Sequence, residues 1–126
     1  MTKNPNWLAL LALAVLSIGA HADGSRIQVQ DVRILMVAAI NASDGAAHGI
    51  LVGKNAEAIS QRFKATTPIH IDVTTERRYQ QPGCSRLKVA FSQDGLVLPG
   101  EQGPQRKTIE FGINYCRDGQ PPKSLA

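Results

Sequence analysis

Apolar and polar positions change period several times along the chain, and each change marks an element. Trp7 to Ile18 (WLALLALAVLSI) is an apolar run, preceded by Lys3 and followed by Ala20-His21-Ala22. A short cationic start, an apolar stretch and a small-x-small sequence are the three parts of a secretory signal. The run falls short of the roughly 20 apolar residues needed to span a bilayer. The pattern therefore predicts a signal peptide over residues 1–22, cleaved after Ala22, and one small domain over residues 23–126. The segment 118–126 reads as a loose tail, rich in Gly, Pro and polar residues.

Beyond the leader, Ile27 and Val29 alternate with polar residues, and Ile34 to Ile40 is almost continuously apolar. Ile, Val and Met dominate that run, which predicts a buried strand, with a helix as the alternative. Asn41 to Gly49 is rich in Ala, Gly, Asn, Asp and Ser and predicts a loop. A short apolar patch, Ile50 to Val52, follows. Lys54 to Ala65 predicts an amphipathic helix with Asn55 as its cap and Ala56, Ile59 and Phe63 on one stripe. Thr66-Thr67-Pro68 stops it, because a residue before proline avoids the helical region. The Ile59/Phe63 face is expected to pack on a sheet.

From Ile69 the period becomes two. Ile69, Ile71 and Val73 alternate with His70, Asp72 and Thr74, as in a half-buried strand. Gln80-Gln81-Pro82-Gly83 predicts a turn. Leu87, Val89 and Phe91 alternate next, Ser92 to Gly95 predicts a second turn, and Leu96 to Leu98 a short return strand. Ile109, Phe111, Ile113 and Tyr115 form the last alternating segment. The fold class expected is α+β, with one amphipathic helix packed on an antiparallel meander sheet of about four to five strands, stapled by one disulfide.

Cys84 and Cys116 are the only two cysteines, and in an exported chain an even count implies a disulfide. Placing them opposite each other on antiparallel strands puts Leu87 opposite Ile113, Val89 opposite Phe111 and Phe91 opposite Ile109. All apolar pairs then share one face and the cysteines lie on the other. A slip of one residue would destroy that match.

Charge narrows the function classes. The chain carries 14 Lys and Arg against 10 Asp and Glu, a net charge of +4 with a pI near 9.4, and Lys3 leaves with the leader. This is mild basicity, and with three Phe, two Tyr and one Trp it lacks the aromatic and cationic density of a nucleic-acid-binding surface. No G-x-S-x-G frame is present. Gly49-Ile50-Leu51-Val52-Gly53-Lys54 has one residue too few between its glycines for a phosphate loop and no Ser or Thr after the lysine.

Two groups of residues remain as candidates. Arg77, Arg78, Tyr79, Arg86 and Lys88 surround the Cys84 turn, where fork-shaped guanidinium groups suit a carboxylate, a phosphate or an acidic protein patch. His70 and Asp72 lie on one side of one strand and are the alternative, as the start of a metal site or an acid/base pair. The segments FKATTPIHIDVTTERRYQQPGCSRLKVAFSQDG, from Phe63, and TIEFGINYCRDG, from Thr108, resemble small exported proteins encoded in conjugative or integrating-element regions of Gram-negative bacteria. That resemblance implies an accessory role beside a DNA-transfer or secretion apparatus and transfers no functional residues. The expectation is a periplasmic or secreted binding module, rather than an enzyme, that contacts another periplasmic or membrane-associated protein through the basic group. It needs no cofactor, binds no nucleic acid and has no transmembrane segment in its mature part. Exposed strand edge at Leu96 to Leu98 would add β-augmentation. The alternative is a small periplasmic hydrolase or metal-dependent enzyme using His70 and Asp72.

Overall fold

The computed structural model describes residues 25–126, so the signal peptide expected over residues 1–22 and its expected cleavage site lie outside the described residues. In chain order the elements are β1 (Ile27–Val29), α1 (Val32–Asn41), β2 (Ala46–Leu51), α2 (Lys54–Arg62), β3 (Ile69–Arg78), β4 (Cys84–Leu96) and β5 (Gln105–Cys116). The strands form one sheet in the order β1-β2-β3-β4-β5. β1 runs parallel to β2 and the other neighbours are antiparallel. The fold is α+β with a mixed sheet and, among the described residues, two helices instead of the one expected.

The run from Ile34 to Ile40 is helical, which corrects the buried strand expected there. Two parallel neighbours cannot be joined by a tight turn and need a crossover, and α1 supplies it between β1 and β2. Asp31 caps the helix, its Oδ1 accepting from the Arg33 N–H at 2.9 Å. Leu35, Met36, Ala39 and Ile40 are the buried stripe. They pack on Val29, Ala47, Ile71, Val73, Leu87, Val89 and Tyr115 to form the core. An apolar run of this length suits a buried helix as well as a strand.

The loop expected over 41–49 is shorter than that. Gly45 turns the chain at φ +70, Asp44 accepts from the Ala46 N–H, and β2 starts at Ala46. Gly49 is therefore a strand residue, and it admits the buried Leu35 side chain. A Cβ there would lie 2.7 Å from both Leu35 Cδ1 and the Ile27 carbonyl oxygen.

The helix expected over 54–65 ends at Arg62, and its N-cap is Gly53, at φ 98, instead of Asn55. It does not cover the sheet; α1 does. Ile59 is 40% exposed, and α2 is tied by its end, where the Phe63 carbonyl accepts from the Val97 N–H at 2.8 Å. Ser60 Oγ also accepts from Gln93 Nε2 at 3.0 Å.

β4 runs through the turn expected at Ser92–Gly95 and absorbs the first residue of the expected return strand 96–98. A bulge between Gln93 and Leu96 shifts the register, Gly95 takes φ +74, and Gln93 is buried with its Nε2 donating to the Thr67 carbonyl. A bulge inserts a residue without ending a strand, so the polar Gln93 belongs to the interior and not to a turn. The true reversal lies between β4 and β5, and the expected register holds there. Cys84 faces Cys116, Leu87 faces Ile113, Val89 faces Phe111 and Phe91 faces Ile109. The disulfide Cys84–Cys116 is formed. Among the described residues, no helix is long and apolar enough to cross a membrane.

Candidate interaction surface

Side chains alternate across a strand, so the sheet presents two faces. One faces α1 and holds Ile71, Val73, Leu87 and Val89. The other carries the even-numbered residues of β5 and, up to the bulge after Gln93, those of β4, including both cysteines, and is where most of the candidate residues meet.

The basic group is divided between the faces. A bulge between Thr75 and Arg77 re-phases the end of β3, setting Arg77 opposite Arg86 and Arg78 opposite Ser85. Arg78 turns to the helix face, where Nη1 donates to the Ile40 carbonyl at 3.3 Å and Nη2 to the Ala42 carbonyl at 2.9 Å. It caps the C-terminal end of α1, where the helix leaves carbonyls unpaired and its dipole favours a cation. Arg77, Tyr79, Arg86 and Lys88 stay together on the open face. The Arg77 guanidinium lies 5.4 Å from the Tyr79 ring centroid. The Tyr79 hydroxyl donates to Asn114 Oδ1 at 2.6 Å, and Arg86 Nη1 donates to the same oxygen at 3.4 Å. Arg86 lies flat across Gly112, where a Cβ would run into its guanidinium. Among the described residues, no carboxylate comes within ion-pair distance of Arg77, Arg86 or Lys88.

Farther along the same face, Asp72 is held by residues that sequence reasoning did not join to it. Arg26 Nη1 donates to Asp72 Oδ1 at 2.9 Å, and His48 Nδ1 lies 2.6 Å from the same oxygen. Arg26 also reaches the Gly49 and Ile71 carbonyls. Burial works against the Asp72 charge, but the hydrogen bonds from His48 and Arg26 and their positive charges outweigh it, holding the carboxyl below its ordinary value. His70 stands opposite Ile50 and Ser92, one side-chain step from Asp72. His48 falls in the segment 41–49 expected to be a loop, but β2 sets it directly opposite Asp72. No signal in the sequence marks Arg26 or Asn114. Among the described residues, no group of three His, Cys, Asp or Glu side chains is gathered to hold a metal ion.

On the helix face, beyond the end of α1, Ile59, Phe63, Ile69, Phe91, Leu96 and Ile109 line a cavity of about 180 Å³. Phe91 and Phe111 stack beside it with centroids 6.2 Å apart. The apolar surface continues along β5, where Ile109 is 68% and Phe111 42% exposed. Among the described residues, β5 pairs only with β4, so the long free edge of the sheet lies there and not at residues 96–98. Comparison with protein-family models, with curated proteins and with solved structures returns no match.

Proposed function

We propose that this chain is an exported accessory module that binds another envelope protein through the open face of its sheet. The observation that carries this reading is the set of cations on that face. Arg77 is stacked on Tyr79, Arg86 is held by Asn114 over Gly112, and Lys88 stands beside them. None of them has a carboxylate partner among the described residues. Guanidinium groups held in place lose little side-chain freedom on binding, and their donors match carboxylates in pairs. The partner surface is acidic. A disulfide joining β4, which carries Arg86 and Lys88, to β5 suits an oxidising compartment, and the setting implied by the sequence resemblance is a conjugation or secretion apparatus.

Crosslinking of the tagged chain in the periplasm, with mass spectrometry of the captured proteins, tests this reading. One dominant envelope partner is expected, and Arg77→Glu with Lys88→Glu should abolish its capture without changing thermal stability. Capture that survives this charge reversal would refute the reading.

A further inference from the structure

The free edge of β5 carries a regular row of outward backbone groups. Cys84 and Cys116 face each other with Cα atoms 4.0 Å apart, the close spacing of a non-hydrogen-bonded pair. The Cys84 carbonyl accordingly accepts from Tyr79, on the β3 side, and the Cys116 N–H donates to the Gln120 carbonyl instead of to β4. Ladder bonding alternates along an antiparallel pair, and no register shift interrupts β5 from Thr108 to Cys116. Thr108, Glu110, Gly112 and Asn114 therefore point their backbone N–H and C=O groups away from β4, into the free edge. Ile109, Phe111 and Ile113 turn their side chains to the helix face, the first two exposed.

We propose that two copies of this chain pair antiparallel along β5 about a two-fold axis at Phe111. This goes beyond the partner reading above: it gives Arg86 to the second copy and leaves Arg77 and Lys88 to the partner. In this register Thr108 faces Asn114 of the second copy and Glu110 faces Gly112 of the second copy, in both directions. The outward backbone groups of these four residues then gain ladder partners. Phe111 meets Phe111, and Ile109 meets Ile113, so the exposed apolar row becomes one strip shared by both copies. Cross-strand apolar pairs on one face are the unit of sheet stabilisation.

Charge selects this register over its neighbours. On the open face, Glu110 of one copy stands opposite Gly112 of the other, and the guanidinium of Arg86 occupies the space where a Gly112 side chain would be. Directly opposed Cβ positions in an antiparallel pair lie about 5 Å apart, within reach of a glutamate side chain. Two reciprocal Glu110–Arg86 ion pairs therefore form across the axis. Moving the axis to Glu110 would set the two Glu110 carboxylates against each other. Moving it to Ile109 would set Lys107 against Phe111, and moving it to Gly112 would leave Thr108 facing Cys116, whose N–H is already bonded within its own chain, whereas about Phe111 only Arg106, at the start of the strand, faces that residue. The dimer joins two sheets edge to edge, and Arg77 and Lys88 remain outward on a doubled basic surface.

Sedimentation of the full chain, produced and processed in an oxidising compartment, is expected to give twice the monomer mass. Under mild oxidation, Phe111→Cys should crosslink to itself. Ile109→Cys and Ile113→Cys should not crosslink with themselves, but a mixture of the two should give a covalent heterodimer. Arg86→Glu and Glu110→Arg should each dissociate the dimer, and the two together in one chain should restore it, a rescue that a merely structural role for Arg86 would not produce. A chain that sediments as a monomer would leave the edge to a strand of another protein and overturn the proposal. So would self-crosslinking at Ile109→Cys, or failure of the charge exchange to restore the dimer. Arg77→Glu with Lys88→Glu should remove partner capture and leave the dimer, so failure of either reading is distinguishable.

Discussion

α1 packs closely on the sheet at Gly49, and Gly49→Ala measures that packing. The residue lies within β2, opposite Ile27 on one side and Ile71 on the other. A methyl group there would sit 2.7 Å from the Ile27 carbonyl oxygen and 2.7 Å from Leu35 Cδ1. Neither atom can swing aside, since one is strand backbone and the other belongs to a fully buried side chain. Alanine for glycine ordinarily stabilises a strand by about 0.4–1 kcal/mol through the unfolded chain. Overpacking a filled core costs about 1–3 kcal/mol. The clash wins, and the net loss expected is about 1–2 kcal/mol. At roughly 4–8 °C per kcal/mol for a domain of this size, Tm should fall by about 5–15 °C in calorimetry with the disulfide intact. Residues in contact do not add, so the same substitution should cost less in a Leu35→Ala background. An unchanged or raised Tm, or strict additivity with Leu35→Ala, would refute the close approach of α1 to β2.

Three further outcomes are expected. Replacing Cys84 and Cys116 by serine opens a closure spanning a sequence separation of 32, and the chain-entropy relation puts the loss at about 4 kcal/mol; a urea titration showing a loss under about 1 kcal/mol would mean that the β4–β5 ladder alone holds the hairpin. Because the folded-state pKa of Asp72 is lowered, its stabilisation is fully present above the unfolded value near 4 and is lost as pH falls through the folded value. Asp72→Asn should flatten the decline of Tm below about pH 4, and an unaltered acid limb would show that the contacts with Arg26 and His48 contribute nothing. Arg78→Ala should destabilise the fold by about 1 kcal/mol through the two lost bonds to the end of α1 and leave partner capture intact. Lost capture at unchanged stability would place Arg78 in the contact surface.

What could be read in advance follows from how local the deciding interactions are. The pairing of β4 with β5 was legible because two cysteines and three apolar residues on each strand admit one parity, and a two-residue period cannot slip by one without exposing its apolar side. β3 was legible for the same reason. The segment 34–40 was not, because apolar residues such as Ile34, 56% exposed, also occupy the outer side of the helix and hide its period, and only the need to connect two parallel strands made it a helix. Gln93 and Gly95 resembled a turn because a bulge uses the same residue types, and whether the chain reverses there depends on Ser60 and Thr67 receiving the Gln93 amide. The candidate surface divides in the same way. Composition and spacing pointed to Arg77, Tyr79, Arg86 and Lys88, while the bulge after Thr75 turned Arg78 to the opposite face and made it a helix cap. Arg26, His48 and Asp72 are distant in sequence and meet only because β2 lies between β1 and β3. Local periodicity and the cysteines determined the strands of the second half of the chain; strand order, set by burial and by the crossover through α1, decided the rest.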